Sequence, residues 1–376
     1  MLQASNLTKI QKLLTNVGTL LLGAYPYRQI KVKEALFLGY TDPLIELINS
    51  PLIKIFEEVT GQSIFGFQTP DIQVLGFFPN YNHTGDESYV VNSGKSDYKK
   101  VAYIEEWANS SSLGWWLSDD ANNVIGASDG SYWGGFLEKD KKLKNFQSFL
   151  CRHMEMEYIR EEEIDGISGY LYKFSNEVFN TSVSGNEGYI IKDPLNKIYF
   201  PKWAHSHPLD SDGHYTFPAG MIEQKCFPGQ KKRLPFLALL SSPHFYQANP
   251  EVIDSLLGLS PSENLHNMGE FIIQPKVGST LKASLRLQFN IAVFNDPHFL
   301  TLQNLRSTIV PAFWLDVQIN LKDYALNYIK MNTTTIPLIF LIVGISFVVL
   351  SLLIALTIVG SIFARRQRKR NYLNNN

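Results

Sequence analysis

The sequence predicts a mainly β fold of the α+β class, helical at its start and closed by one membrane-spanning helix. Three observations predict it: helical spacing of apolar residues before Gly61, two-residue alternation after it, and a charge-free apolar run from Met331 to Ala364.

Leu7, Ile10, Leu13, Leu14 and Val17 recur at i, i+3, i+4 spacing, which places them on one side of a 3.6-residue helix. Lys9 and Lys12 before Leu13–Ala24 faintly suggest a signal peptide, but Thr15, Asn16, Gly18 and Thr19 interrupt the apolar stretch. An amphipathic helix fits it better. Val32–Leu38 and Leu44–Val59 are patterned similarly, broken at Asp42-Pro43 and Ser50-Pro51, where proline can open a helix but not continue one.

Beyond Gly61 the period changes. Met154–Tyr158 and Leu285–Val293 alternate, and Tyr170–Phe174 and Phe271–Ile273 are short β-type runs between Gly, Pro and Asn punctuation. Alternation of this kind fits an antiparallel sheet with one face on a core. Asn249-Pro250 predicts the start of a short helix that leaves at Gly258. Asn320–Lys330 predicts a helix feeding the membrane run.

Within that run, residues 336–363 exceed the roughly 20 apolar residues needed to cross a bilayer, so tilt is expected. Arg365, Arg366, Arg368, Lys369 and Arg370 follow at once. Cytoplasmic flanks carry the excess of Lys and Arg. The expected order is residues 1–330 outside the cell or in a lumen, a membrane helix over 336–363, and a basic cytoplasmic tail over 364–376.

Lys and Arg number 34 and Asp and Glu 35; without the five basic residues of the tail, 29 face 35. The outer part is mildly acidic, and a nucleic-acid footprint is excluded. The two cysteines, Cys151 and Cys226, are too few to fix the redox compartment by counting. Five Asn-x-Ser/Thr sequons stand at Asn6, Asn82, Asn109, Asn180 and Asn332. Asn332 abuts the membrane run.

Several motifs carry possible chemistry. Gly126-Ala-Ser-Asp-Gly130 matches the hydrolase elbow Gly-x-Ser-x-Gly, but Ser131–Gly135 is poor helix material where the elbow needs a helix. His205, His207, Asp210, Asp212 and His214 have spacing that permits a metal cluster, against the simpler reading of a solvated loop. Lys139–Lys144 could meet anionic ligands, or form a solvated face. Glu161–Glu163 reads as an exposed turn, and His244 as a structural histidine with a hydrogen-bonded ring. No cofactor and no metal is expected.

The stretch Leu240–Asn249, Gly258-Leu-Ser-Pro261, His266, Gln274-Pro275, Val277-Gly278 and Arg286–Ile291 resembles the class B scavenger receptor family. That family includes fatty-acid translocase and the lysosomal integral membrane protein. Gly39–Pro43, Phe77–Lys95, Trp115-Trp116, Ile125–Gly130, Phe149–Arg152 and Val310–Asp316 agree in order. The resemblance covers about residues 25 to 365 and is most specific over 239–291.

The resemblance implies an antiparallel β-barrel-like ectodomain with a helical apex (residues 1–60), a β-rich core (61–330) and an internal hydrophobic tunnel. It implies a non-enzymatic membrane glycoprotein that binds lipids or lipoproteins and passes hydrophobic ligand toward the bilayer, at the plasma membrane more than the lysosome. The alternative it offers is a lysosomal receptor for a lumenal enzyme, toward which Trp115-Trp116 and the cysteine pair lean. Against that, the tail has no acidic dileucine signal, and Tyr372-Leu-Asn-Asn375 lacks the bulky residue of a tyrosine-based one. Cys151 and Cys226 match positions that pair in the lysosomal branch, so the resemblance implies a disulfide between them. On the resemblance, the family's first membrane helix and an early part of its ectodomain are expected to lack a counterpart in these residues. Met1 is likewise expected near the apex helices; Leu21–Ala24 stands near the place of the apex basic cluster, for which Lys9, Lys12 and Arg28 are only loose substitutes.

Overall fold

The computed structural model describes residues 13, 16–18, 20, 21, 23, 28–61, 74–79, 87–189, 218–224, 226, 227, 230–233, 238–293 and 308–374. The fold is α+β, with antiparallel sheets and a long apolar helix at the C-terminal end.

The described residues 34–60 are largely helical. A wide turn over Glu34–Leu38 precedes helices Pro43–Ile48 and Pro51–Thr60. Ser50 separates the two helices: it stays extended and its hydroxyl accepts from Ile53 N, a side-chain cap on the second helix. That helix ends at Gly61, left-handed at φ 63°.

Among the described residues twelve strands follow: β1 (Tyr89–Val91), β2 (Ile104–Trp107), β3 (Leu143–Gln147), β4 (Arg152–Ile164), β5 (Ile167–Phe174), β6 (Met221–Glu223), β7 (Cys226–Phe227), β8 (Gln230–Arg233), β9 (Leu239–Ser241), β10 (Gly269–Gln274), β11 (Ser279–Val293) and β12 (Thr308–Asn320). Strands β1–β2 and β7–β8 form small ribbons, and the other eight form one sheet ordered β3-β4-β5-β10-β11-β9-β6 with β12 beside β11. β11 organises this sheet. Its residues 282–293 pair with β12 along one edge. Along the other edge β10 takes residues 279–285 and β9 takes residues 288–290, end to end.

One face of the sheet carries the main core, including Met154, Met156, Tyr172, Phe271, Ile273, Leu287 and Phe289. A second core gathers Trp107, Trp116, Phe146, Cys151 and Tyr189. A third lies where the sheet meets the membrane segment: Leu326 and Ile329 of helix Asp323–Lys330 pack on Ile167, Leu171, Ile272 and Leu281. Burying those two side chains contributes about 2 kcal/mol each.

Two boundaries differ from expectation. The helix capped by Asn249 covers only Pro250–Ile253. The hydroxyl of Ser255 turns back to Val252 O and pairs with Thr308 Oγ1, competing with further helical bonds. The pre-membrane helix starts at Asp323, because Asn320 is still paired with Lys282 in the β11–β12 ladder.

Helix Ile336–Asn374 continues from that helix through a wide turn, Met331–Thr335. Its residues 336–363 rise about 42 Å at 1.5 Å each, more than the ~30 Å hydrocarbon core. The hydroxyls of Ser346, Ser351, Thr357 and Ser361 each donate to a carbonyl three or four residues back. No polar group of these four needs water, which is what a membrane span requires. The five basic residues of the tail lie exposed on the last turns of the same helix.

Candidate functional site

The β11–β12 ladder has one apolar and one polar face, because side chains alternate along each strand. Ala283, Leu285, Leu287 and Phe289 stand opposite Ile319, Val317, Leu315 and Phe313. The intervening positions are mostly polar, with Trp314, opposite Gln288, the large apolar exception at 41% exposed. Arg286 Nε lies 3.5 Å from Asp316 Oδ2, and its Nη1 donates to Asn267 Oδ1 at 3.0 Å. Gln288 and Asn290 are buried with Ser241 in a hydrogen-bonded network.

The apolar face begins in an aromatic cluster and ends in the open. Phe289 and Phe313 stack at 4.7 Å, and Phe77 meets Phe313 edge-on at 4.5 Å. Phe78 contacts both stacked rings and Phe37. Phe77 and Phe78 are placed by backbone bonds to Ala35 O and Leu36 O of the wide turn. Down β12 cover is lost: Phe313 and Leu315 are half-buried, Val317 is 45% exposed and Ile319 56%. A sheet face with exposed Val and Ile aligned with a partly buried aromatic cluster is suited to cover by hydrocarbon, at about 25 cal/mol per Å² removed from water. From Phe313 to Ile319 the strip runs about 20 Å and ends four residues before helix Asp323–Lys330.

The other sequence candidates fall as follows. Ser128 is fully buried; its hydroxyl donates to Tyr132 O and accepts from Gly130 N at 3.0 Å. It forms an isolated bridge to Asn145 rather than sitting exposed between a strand and a helix. The basic run is met by acidic partners: Lys139 Nζ is 2.7 Å from Glu161 and lies over the rings of Tyr158 and Tyr170, while Lys142 reaches Glu155 and Glu157. Glu161–Glu163 lie on β4 rather than in a turn, since that strand runs to Ile164. His244 stacks on His266 at 4.2 Å, each ring's Nδ1 accepting a backbone N–H, from Ser260 and Ser262. Burial, with His244 and Arg286 nearby, holds His266 below the usual imidazole pKa.

His205, His207, Asp210, Asp212 and His214 lie outside the described residues, as do Asn6 and Asn82. Asn109 is exposed on a left-handed turn, φ 58°. Asn180 Nδ2 donates to Glu177 at 2.7 Å. Asn332 Nδ2 donates to Tyr328 O inside a helical turn, and its neighbour Thr333 is buried.

Cys151 is buried at the β3–β4 turn, where Trp116 Nε1 donates to its carbonyl at 2.8 Å. Cys226 opens β7. Sequence reasoning missed Arg152, buried 3.6 Å from the Tyr189 ring centroid, with Nη2 on Asn186 Oδ1 at 3.2 Å. Burial, then Lys144 and Arg152, push the neighbouring His153 down to about 4. Burial pushes the Tyr189 phenol up to about 12. The aromatic cluster was missed as well: Phe77 and Phe313 lie far apart in sequence, and only the fold brings them together.

A family model described as the CD36 family matches residues 1–362. An uncharacterised protein of Caenorhabditis elegans is 28% identical over 369 residues, covering 94% of this chain and 69% of its own length. Lysosome membrane protein 2 of Homo sapiens is 27% identical over 322 residues, covering 84% of this chain and 58% of its own length. Scavenger receptor class B member 1 of Bos taurus is 23% identical over 365 residues, covering 96% and 62%. The chain therefore spans about three fifths of the length of the latter two relatives.

Proposed function

The chain belongs to the CD36 family, and from that membership we propose a membrane-anchored, scavenger-receptor-like protein that binds lipid or lipoprotein-borne ligand on the β11–β12 strip. The observation that carries this reading is the strip itself: apolar side chains that lose cover step by step as β12 approaches the membrane helix. A hydrocarbon chain gains burial along the strip and leaves it where the bilayer begins, so transfer toward the membrane needs no catalysis. The strip would form one wall of the hydrophobic tunnel that the family resemblance implies.

On this reading the basic tail is cytoplasmic, residues 1–330 face outward, and the plasma membrane is the site of action. A Cys151–Cys226 disulfide belongs to the same proposal. It is supported by the bonded state of Cys151 and by the chain having only two cysteines. The test of function is labelling of the full chain with a photoreactive fatty acid. Saturable labelling, competed by unlabelled fatty acid, is expected; labelling that does not saturate would sink lipid binding.

A second reading is a lysosomal receptor for a lumenal enzyme. It is favoured by the tight joining of the Trp115-Trp116 segment to Cys151 and by the similarity to lysosome membrane protein 2. Recovery of a lumenal hydrolase with the tagged full chain would favour it over lipid binding.

A further inference from the structure

We propose that the loops around the root of the membrane helix form a second contact with the bilayer, in which Tyr98, Phe136 and Val277 enter the headgroup interface of the leaflet that the helix enters. This rests on the reading that residues 336–363 span the membrane.

Two lysines tie the sheet to the helix root. Lys330 Nζ donates to Asp165 O in the β4–β5 turn at 2.9 Å, and Lys276 Nζ of the β10–β11 turn donates to Thr333 O at 3.3 Å. Thr333 lies three residues, about 4.5 Å of helix, before the apolar run. The β10–β11 turn is therefore one lysine side chain away from the start of the hydrocarbon core.

Tyr98 and Phe136 are fixed to that turn. Phe136 N and Leu137 N donate to Lys276 O and Pro275 O, and Phe136 meets Tyr98 edge-on at 5.4 Å. Three chain segments approach closely here because Gly134 and Gly278 lack a Cβ: one on Gly134 would strike Lys99 O, and one on Gly278 would strike Gly134 O. This end leaves Phe136 59% and Tyr98 56% exposed, with Val277 over a third exposed. Tyr324, Tyr328 and Met331 are exposed on the adjoining helix turns.

Aromatic rings beside lysines suit a bilayer interface, where the ring is partly desolvated and the ammonium reaches phosphate. The continuity with the membrane helix selects a bilayer rather than a protein as the occupant. Lys99 pairs with Glu138, and Glu161–Glu163 and Asp165 lie on the same hairpin end, so a zwitterionic leaflet fits better than an anionic one.

The test reconstitutes the full chain in phosphatidylcholine vesicles with p-benzoylphenylalanine at one position at a time, followed by irradiation and a search for lipid adducts. Leu353 reports the membrane helix. Leu257 is the distant control: it is fully exposed and close in sequence to Ser255, which bonds Thr308 at the far end of β11–β12. Fourteen strand steps, about 45 Å, separate that end from the β10–β11 turn. Adducts at Phe136, Tyr98 and Leu353 with none at Leu257 are expected. Adducts at Leu353 alone would overturn the second contact and leave the spanning helix standing, and equal adducts at Phe136 and Leu257 would also overturn it. Absence at Leu353 would overturn the spanning reading and this proposal together.

Discussion

Phe289 and Phe313 stack with ring centroids 4.7 Å apart across the β11–β12 ladder, one ring buried and the other half-buried. The pair marks where the closed core becomes an open apolar strip. Phe289→Ala, inside the core, is expected to cost about 3 to 5 kcal/mol, read as a lower thermal midpoint in detergent. Replacing Val317 and Ile319 together by Ser is expected to cost less than the core change, about 1 kcal/mol, because about half of each residue is already in the open. The same double variant is expected to lose most photoreactive fatty-acid labelling.

His153 makes stability depend on pH. Its folded pKa, about 4, lies below the unfolded imidazole value, so the unfolded chain binds a proton first as pH falls. The stabilisation is complete above about pH 6.5 and is lost as pH falls toward 4. The loss by pH 4 amounts to about 3 kcal/mol. Thermal midpoints at pH 7 and pH 5 are expected to differ in the parent chain and to differ less in His153→Gln, where the lowered His266 remains.

Glycan occupancy tests the outward placement. Asn109 lies exposed on its turn, whereas Asn332 is bonded into a helix beside buried Thr333. In animal cells Asn109→Gln is expected to lose one N-glycanase-sensitive mobility step and Asn332→Gln none. If the parent chain shows no shift with N-glycanase, the outward placement of these residues is contradicted.

Gly278 stands at φ 73° with the Gly134 carbonyl where a Cβ would fall. Gly278→Ala is expected to cost about 3 kcal/mol or more from strain and clash combined, measured as a fall in folded yield and thermal midpoint. Opening the Cys151–Cys226 loop by reductant is expected to cost about 4 kcal/mol on the chain-entropy argument. An unchanged midpoint with reductant would contradict the bridge.

The parts legible in the sequence were those with a local signal. The membrane run needed only length and lack of charge. The alternation of Leu285–Val293 gave one long strand, β11, and Ser50-Pro51 marked the break between two helices. The reach of β12 to Asn320 was not legible, because Val317, Gln318 and Ile319 are held extended by pairing with β11, a non-local constraint. Arg152 read as one more charge in a signature. Its burial under Tyr189 depends on a ring supplied from 37 positions further along the chain. The apolar strip was visible only as alternation; which members stay exposed follows from where the neighbouring strands stop.

The most direct test of lipid binding on the strip is mass-spectrometric location of the photoreactive fatty-acid adduct. The expected result is an adduct within residues 308–320 that is lost in Val317→Asp. An adduct confined to other segments, with 308–320 unlabelled at saturation, would contradict the strip as the binding surface.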